Sequence, residues 1–396
     1  MTSTPSAFDD FALARRATPL TSIVADEIRR DGPITFARFM ALALGHSEYG
    51  YYARPGFTWG ASGDFQTSPE VSPVFGYLWA HQVSECWERL GRPAPFHLVE
   101  VGAGSGAFSE AMLTWLRERA PECFAVLHAV VLDGMPRRIE DQRARLERAG
   151  FTATQVEHAD AAEWLARDER VTGVVISNEC FDALPVHIVE RRGDELHEWH
   201  VALDDANSLA LQLGALSTPA LAATFERLGV QPGDGCRAEV CLDAPELMRA
   251  MARRLERGYV LSIDYGHDAE ALYASWRRMG TLMAFQAHSP QPDPLAQPGL
   301  LDLTTHVNLT SLAQAARAEG FEVPPHVSQM EALVGLGIGE AMQGAQERAG
   351  SDFLAYANAR RAAETLMDPT GLGRIRVLVA AKDAPSDLAC LSMPMP

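Results

Sequence analysis

Apolar positions along this chain fall into short continuous runs that alternate with stretches of helical spacing, the pattern of a mostly parallel sheet wrapped by helices. Leu98, Val99 and Val101 form one run, and Phe108, Ala111, Met112, Trp115 and Leu116 follow at helical intervals. A second run over 129–132, a charged amphipathic helix over 137–148 stopped by Gly150, and strands over 152–157 and 171–176 continue the alternation. The spacing then changes to period two over 187–192, 195–203 and 209–213, with Arg192-Gly193-Asp194 as a hairpin turn, which predicts an inserted antiparallel element. A run over 258–266 resumes the buried sheet, and 374–382 supplies a closing edge strand. Ahead of the sheet, 34–44 carries a helix with Gly32-Pro33 as its start signal. The fold class is α/β: a Rossmann-like doubly wound sheet with an N-terminal helical and lid addition and an inserted antiparallel β element. This divides the chain into a helical and lid region over 1–93, a cofactor core over 94–190, the insertion over 191–257, and the rest of the sheet over 258–396.

Between the first strand and its helix lies Glu100-Val101-Gly102-Ala103-Gly104-Ser105-Gly106, a glycine turn that lets the backbone approach a ligand and leaves the helix amino-terminus open. Gly102, Gly104 and Ala107 also satisfy the relaxed dinucleotide fingerprint, so a nicotinamide or flavin cofactor, or a turn without ligand, remains an alternative. A carboxylate at Glu100 would repel a pyrophosphate and would suit the ammonium and sulfonium groups of S-adenosylmethionine, which places that cofactor first. Asp133, ending the second run, is positioned for ribose hydroxyls, and Asp160, ending the third, for an adenine amino group. The fourth strand delivers Asn178-Glu179-Cys180-Phe181-Asp182-Ala183-Leu184-Pro185 to the same carboxyl edge, where open α/β sheets bind ligands. Singly these acids also read as strand-end caps, and Glu179 and Asp182 as caps of a following helix.

Composition changes this picture in a few places. At 396 residues, 47% hydrophobic, the chain buries a large core, and its net charge of −18 disfavours nucleic acid and anionic membrane as partners. No apolar stretch approaches membrane length, and the first residues have no apolar signal core, from which we expect a cytoplasmic chain. Six cysteines are scattered without a C-x-x-C pair, so neither a metal site nor a disulfide framework is indicated, and Cys180 reads as a space-filler before a nucleophile. Tyr49, Tyr51 and Tyr52, then Asp64, Phe65, Thr67 and Glu70, give a lid-like composition or a packed loop. His288 and His306 flank a long polar loop, and a substrate loop is expected over 285–310.

Five motifs in order resemble the MidA family of S-adenosylmethionine-dependent methyltransferases: 63–70 with Phe75-Gly76, the glycine turn from Glu100 to Gly106, 178–185, Ile263-Asp264-Tyr265-Gly266, and 302–307. Ala103 stands where the family usually has Pro, and Cys180 where it has Phe. The resemblance implies a class I methyltransferase fold, with S-adenosylmethionine at Glu100, Gly102, Gly104, Gly106, Asp133 and Asp160. It implies an acceptor side lined by 63–70 and 178–185, including Asp64, Phe65, Thr67, Glu70 and Pro185. The family includes a mitochondrial complex I assembly factor that symmetrically dimethylates a protein arginine, so a protein substrate, such as a respiratory complex I subunit, is the implied partner. For an arginine acceptor Glu179 and Asp182, with Asn178, are the expected catalytic groups. A small-molecule acceptor, or a non-catalytic assembly role on a residual cofactor fold, stays open, as does self-association.

Overall fold

The computed structural model describes residues 16–54, 67–286, 289–349 and 352–392. They group into two compact units.

One unit comprises residues Gln66–Cys180, Pro245–Gly266 and Leu309–Pro396. Its seven-stranded sheet is built from β1 (Phe96–Val101), β2 (Leu127–Asp133), β3 (Val156–Asp160), β4 (Val171–Asn178), β5 (Leu255–Asp264), β6 (Val327–Ser328) and β7 (Arg376–Lys382) in the order β6-β7-β5-β4-β1-β2-β3. All pairings from β5 to β3 are parallel, and β7 alone runs against its two neighbours. Order reverses at β1 and β4, so a crevice opens beyond their carboxyl ends. The expected class of sheet is present, and it differs from the sequence reading in several places. The third strand begins at Val156, because 152–155 close a turn in which Thr152 N–H donates to Gln155 Oε1 (3.0 Å). β7 is an interior strand, since the two-residue β6 pairs outside it. Gly32-Pro33 does not open the helix: Ile34–Thr35 is a short strand, and Thr35 caps Phe36–Gly45 by accepting from Arg38 N–H (3.0 Å).

One face of the sheet packs Leu98, Val131, Val174, Ile176, Leu261, Val377 and Val379 against Phe75, Trp79 and Val83 of α1 (Pro73–Arg89) and Phe108, Met112 and Leu116 of α2 (Ala107–Arg119). In the strands, Gly173 stands opposite His97, and a Cβ there would lie 2.0 Å from the His97 carbonyl oxygen. Gly173→Ala therefore has to push β1 and β4 apart, at a cost of about 3 kcal/mol. A urea titration is expected to show an earlier midpoint at unchanged slope, and an unchanged midpoint would mean that the ladder yields freely there.

The other unit comprises Phe181–Ala244, His267–Asn308 and the described part of Met1–Phe65. Pro19–Asp31, started by a Thr18–Thr21 capping box, and Phe36–Gly45 lie over an antiparallel sheet of Ile34–Thr35, His187–Arg192, Glu195–Leu203, Leu209–Gly214 and Arg237–Val240. The N-terminal addition and the insertion thus share a sheet, with Ile34 opposite Val201. Buried Leu20, Val24, Phe36, Phe39 and Met40 cover Ile188 and Val201. Where a substrate loop was expected over 285–310, Ser289–Gln291 and Asp302–Thr304 pair with Met283–Gln286 in a small antiparallel sheet.

Candidate active site

The glycine turn is shaped by its backbone: Gly102, Gly104 and Gly106 all have positive φ, of 74°, 54° and 77°. The Gly102 and Ala103 amides donate to the Leu132 carbonyl, at 3.0 and 3.1 Å, and Gly104 N–H donates to Asp133 Oδ2 (3.2 Å). Asp133 is 9% exposed, its Oδ2 also accepts from Gln142 Nε2 (2.9 Å), and its Oδ1 accepts from Met135 N–H (3.1 Å). Burial pushes its pKa up against these donors. Gly102 has a second constraint that the sequence did not show. A Cβ on it would lie 2.6 Å from Cys180 Sγ, so the fourth strand's outgoing chain rests directly on the turn.

Glu100 is 3% exposed, and its carboxyl accepts from the Ser109 hydroxyl of α2. Burial raises its pKa to about 8, with the Ser109 bonds opposing. Burial thus disfavours the ionised form of Glu100 at the turn, which weakens its repulsion of a pyrophosphate.

At the carboxyl end of β4, Glu179 takes a left-handed backbone conformation (φ 47°), held by its own N–H on the Ile263 carbonyl (2.8 Å). Strain of this kind on a residue with a long side chain is characteristic of functional sites. Its Oε1 accepts from Ser68 N–H (3.1 Å) and from Asn178 Nδ2 (3.0 Å). No helix follows: 179–186 is irregular and leads into the strand His187–Arg192, so helix capping does not explain these acids. Cys180 N–H donates to Asp264 Oδ2 (3.0 Å) and Tyr265 N–H to Asp264 Oδ1 (2.8 Å), which fixes the ends of β4 and β5 together.

The short helix Ser68–Val71 touches both halves of this arrangement. Ser68 meets Glu179, and Glu70 Oε1 accepts from the hydroxyl of Ser105 in the glycine turn. Thr67 precedes that helix without capping it by its side chain. Asp160 does cap a helix, accepting from Glu163 N–H (3.0 Å) at the start of Ala161–Leu165. Asp182, Pro185 and His306 lie in the other unit. There the Asp182 carbonyl accepts from Thr305 N–H (3.0 Å), His306 N–H donates to Thr281 Oγ1 (3.0 Å), and Pro185 is half-buried just before its strand. Tyr52 donates to Asp302 Oδ1 (3.3 Å), and burial, with Asp302 and Asp182 nearby, drives its phenol well above the ordinary range. Asp64, Phe65 and His288 lie outside the described residues.

Ser68, Ser105, Ser109, Gln142 and Gln329 were not singled out from the sequence. The two serines at 68 and 105 stand inside quoted motifs, and Gln142 is a polar residue on the inner side of an amphipathic helix. Gln329 had no such signal.

The donor set fits a nucleoside-linked cation. A turn whose three positive-φ glycines carry no side-chain bulk, a buried carboxylate at the end of β2 and the buried carboxyl of Glu100 lie at the ends of adjacent strands. Asn178 Oδ1, buried at the end of β4, has no hydrogen-bond partner among the described residues, and a cationic group would supply one.

Comparisons with known proteins agree. Residues 78–327 match Methyltransf_28, the family model for S-adenosyl-L-methionine-dependent methyltransferases. Protein arginine methyltransferase NDUFAF7, mitochondrial, of Danio rerio is 30% identical over 342 residues, covering 81% of this chain and 77% of its own. The human protein of that name is 28% identical over 340 residues, covering 81% and 74%. A crystal structure of a COG1565 superfamily member from Burkholderia thailandensis, bound to S-adenosyl-homocysteine, superposes with a TM-score of 0.85 at 27% identity, covering 96% of this chain and 98% of that one. The two arginine methyltransferases are mitochondrial by name, which overturns the expectation of a cytoplasmic chain. The test for an apolar signal core bears only on secretion.

Proposed function

The chain belongs to the Methyltransf_28 family of S-adenosyl-L-methionine-dependent methyltransferases, and from that premise we propose that its acceptor is an arginine guanidinium of a protein. The observation that carries this reading is the Glu179 carboxylate, on a left-handed residue at the end of β4, one residue before the Cys180 that rests on the glycine turn.

When bound, S-adenosylmethionine supplies an electrophilic methyl group on a sulfonium. Gly102, Gly104 and Gly106 leave the backbone room to hold it, with Asp133 and Asp160 for its ribose and adenine and Glu100 for its positive charge. A guanidinium is a weak nucleophile, protonated up to a pH above about 12 and with its lone pairs delocalised. A carboxylate gripping its N–H groups localises electron density on the attacking nitrogen and takes the proton that leaves as the new bond forms. The balance is simple: the N–C bond forms as the C–S bond breaks, sulfur keeps the electron pair, and one guanidinium proton passes to the carboxylate. Glu179 is assigned this role, with its Oε1 held by Ser68 and Asn178. Thr67 and Glu70 are assigned to the acceptor side.

The arginine acceptor is supported by the names of the relatives. That the acceptor is a respiratory complex I subunit, and that dimethylation is symmetric, rests on the MidA resemblance. The test is transfer of labelled methyl from S-adenosylmethionine into protein extract of cells lacking this chain, followed by hydrolysis to amino acids. Label is expected in methylated arginine. Label only in small molecules, or in another amino acid, would overturn the assignment.

A further inference from the structure

Glu179 is pinned by a group that is itself pinned. Ser68, fully buried, donates its backbone N–H to Glu179 Oε1 (3.1 Å) and its hydroxyl to Gln329 Oε1 (3.0 Å). Gln329 is also fully buried, its Nε2 donates to the Leu366 carbonyl (3.0 Å), and its own N–H donates to the Ile375 carbonyl (2.7 Å). With the donor arm committed to Leu366, the acceptor arm has to face Ser68, so the hydroxyl direction is determined. Gln329 directly follows Ser328, which pairs with Arg376 in β7, so the register of the sheet's edge sets the position of the Ser68 amide.

We propose that Ser68 and Gln329 are positioning residues for the Glu179 carboxylate, a relay from the sheet edge that holds Oε1 fixed while the carboxylate works on the acceptor. The inference rests on the assignment of Glu179 above. Free Glu side chains sample many rotamers, and a carboxylate has to meet a guanidinium within a few tenths of an ångström. Asn178 restrains Oε1 from the neighbouring residue of the same strand, whereas Ser68 restrains it from a segment that also reaches the glycine turn through Glu70 and Ser105. One carboxylate is thus located relative to both the strand end and the turn. Neither Ser68 nor Gln329 touches the acceptor in this account.

The experiment uses the full chain, labelled S-adenosylmethionine at saturation, and protein extract from cells lacking the chain as acceptor. Gln329→Met and Ser68→Ala are each expected to lower the rate of methyl incorporation roughly 10- to 100-fold, with S-adenosylhomocysteine affinity unchanged by calorimetry. Because both break one link, the double variant should be no slower than the worse single. Ser68→Pro, at the first helical position where proline is tolerated, removes the N–H itself and should be slower than Ser68→Ala. On a Glu179→Gln background Gln329→Met should cost nothing more, whereas a merely structural role would lower the residual rate again. A wild-type rate in Gln329→Met and Ser68→Ala, additive losses, or a parallel loss of S-adenosylhomocysteine affinity would overturn the relay while leaving Glu179 in place. A wild-type rate in Glu179→Gln would remove the carboxylate from the reaction, and the relay with it.

Discussion

Glu179→Gln is expected to lose methyl transfer by roughly 10²- to 10⁴-fold, the range over which a positioned proton acceptor contributes, while S-adenosylhomocysteine still binds. The amide keeps the size of the side chain and keeps an oxygen for Ser68 N–H and Asn178 Nδ2, so the geometry at the end of β4 should persist. What it lacks is the charge that localises density on the guanidinium and the basicity to take its proton. Rate and affinity should therefore separate. Joint loss of both would mean that the carboxylate supports the turn, not the reaction.

Glu100→Gln is expected to change stability with a pH dependence whose sign can be worked out. Burial lifts this carboxyl from 4.5 to about 8 in the folded chain. Between those values the folded state holds a proton that the unfolded state has lost, so stability falls as pH rises through the window. The full span corresponds to about 5 kcal/mol, an upper bound. Gln cannot ionise and retains an oxygen for the Ser109 hydroxyl. Without cofactor the variant should melt close to the wild type near pH 5 and clearly higher at about pH 8.5. Equal melting temperatures at both would show that Glu100 ionises freely in the folded protein. The same change should weaken S-adenosylmethionine binding, because the ionised carboxylate is the form a sulfonium and an ammonium favour. Stability gained and affinity lost together would mark Glu100 as a strained group kept for its ligand.

Much of this was legible in the sequence because the constraints involved are local. The three glycines of the turn were identified from spacing, and all three have positive φ. The strand end at Asp133 was found from its apolar run, and β1, β2, β4 and β5 from the same signal, although β4 runs two residues past the expected 176 to Asn178. Where local chemistry competed with periodicity, the reading slipped. Thr152 and Thr154 look like strand residues, but the Thr152–Gln155 side-chain bonds form a turn, and β3 starts at Val156. Thr35 took the cap that Gly32-Pro33 had been expected to mark. Two-residue β6 is too short to show a period, and without it β7 reads as an edge. The Ser68–Gln329 bond joins residues 261 positions apart, and no single-sequence pattern encodes such a contact. Glu100 was recognised as important, but its charge state depends on burial, which only the packing of α2 on β1 reveals.

The central claim, that the glycine turn after β1 is the seat of S-adenosylmethionine in a working methyltransferase, is tested most directly by calorimetric titration with S-adenosylmethionine and S-adenosylhomocysteine. The wild type is compared with Gly104→Val, which puts a β-branched residue at φ 54°, a conformation it strongly resists. The account predicts that the wild type binds both ligands and that the folded variant binds neither. A folded wild type that binds neither, or a variant that binds as tightly as the wild type, would contradict it.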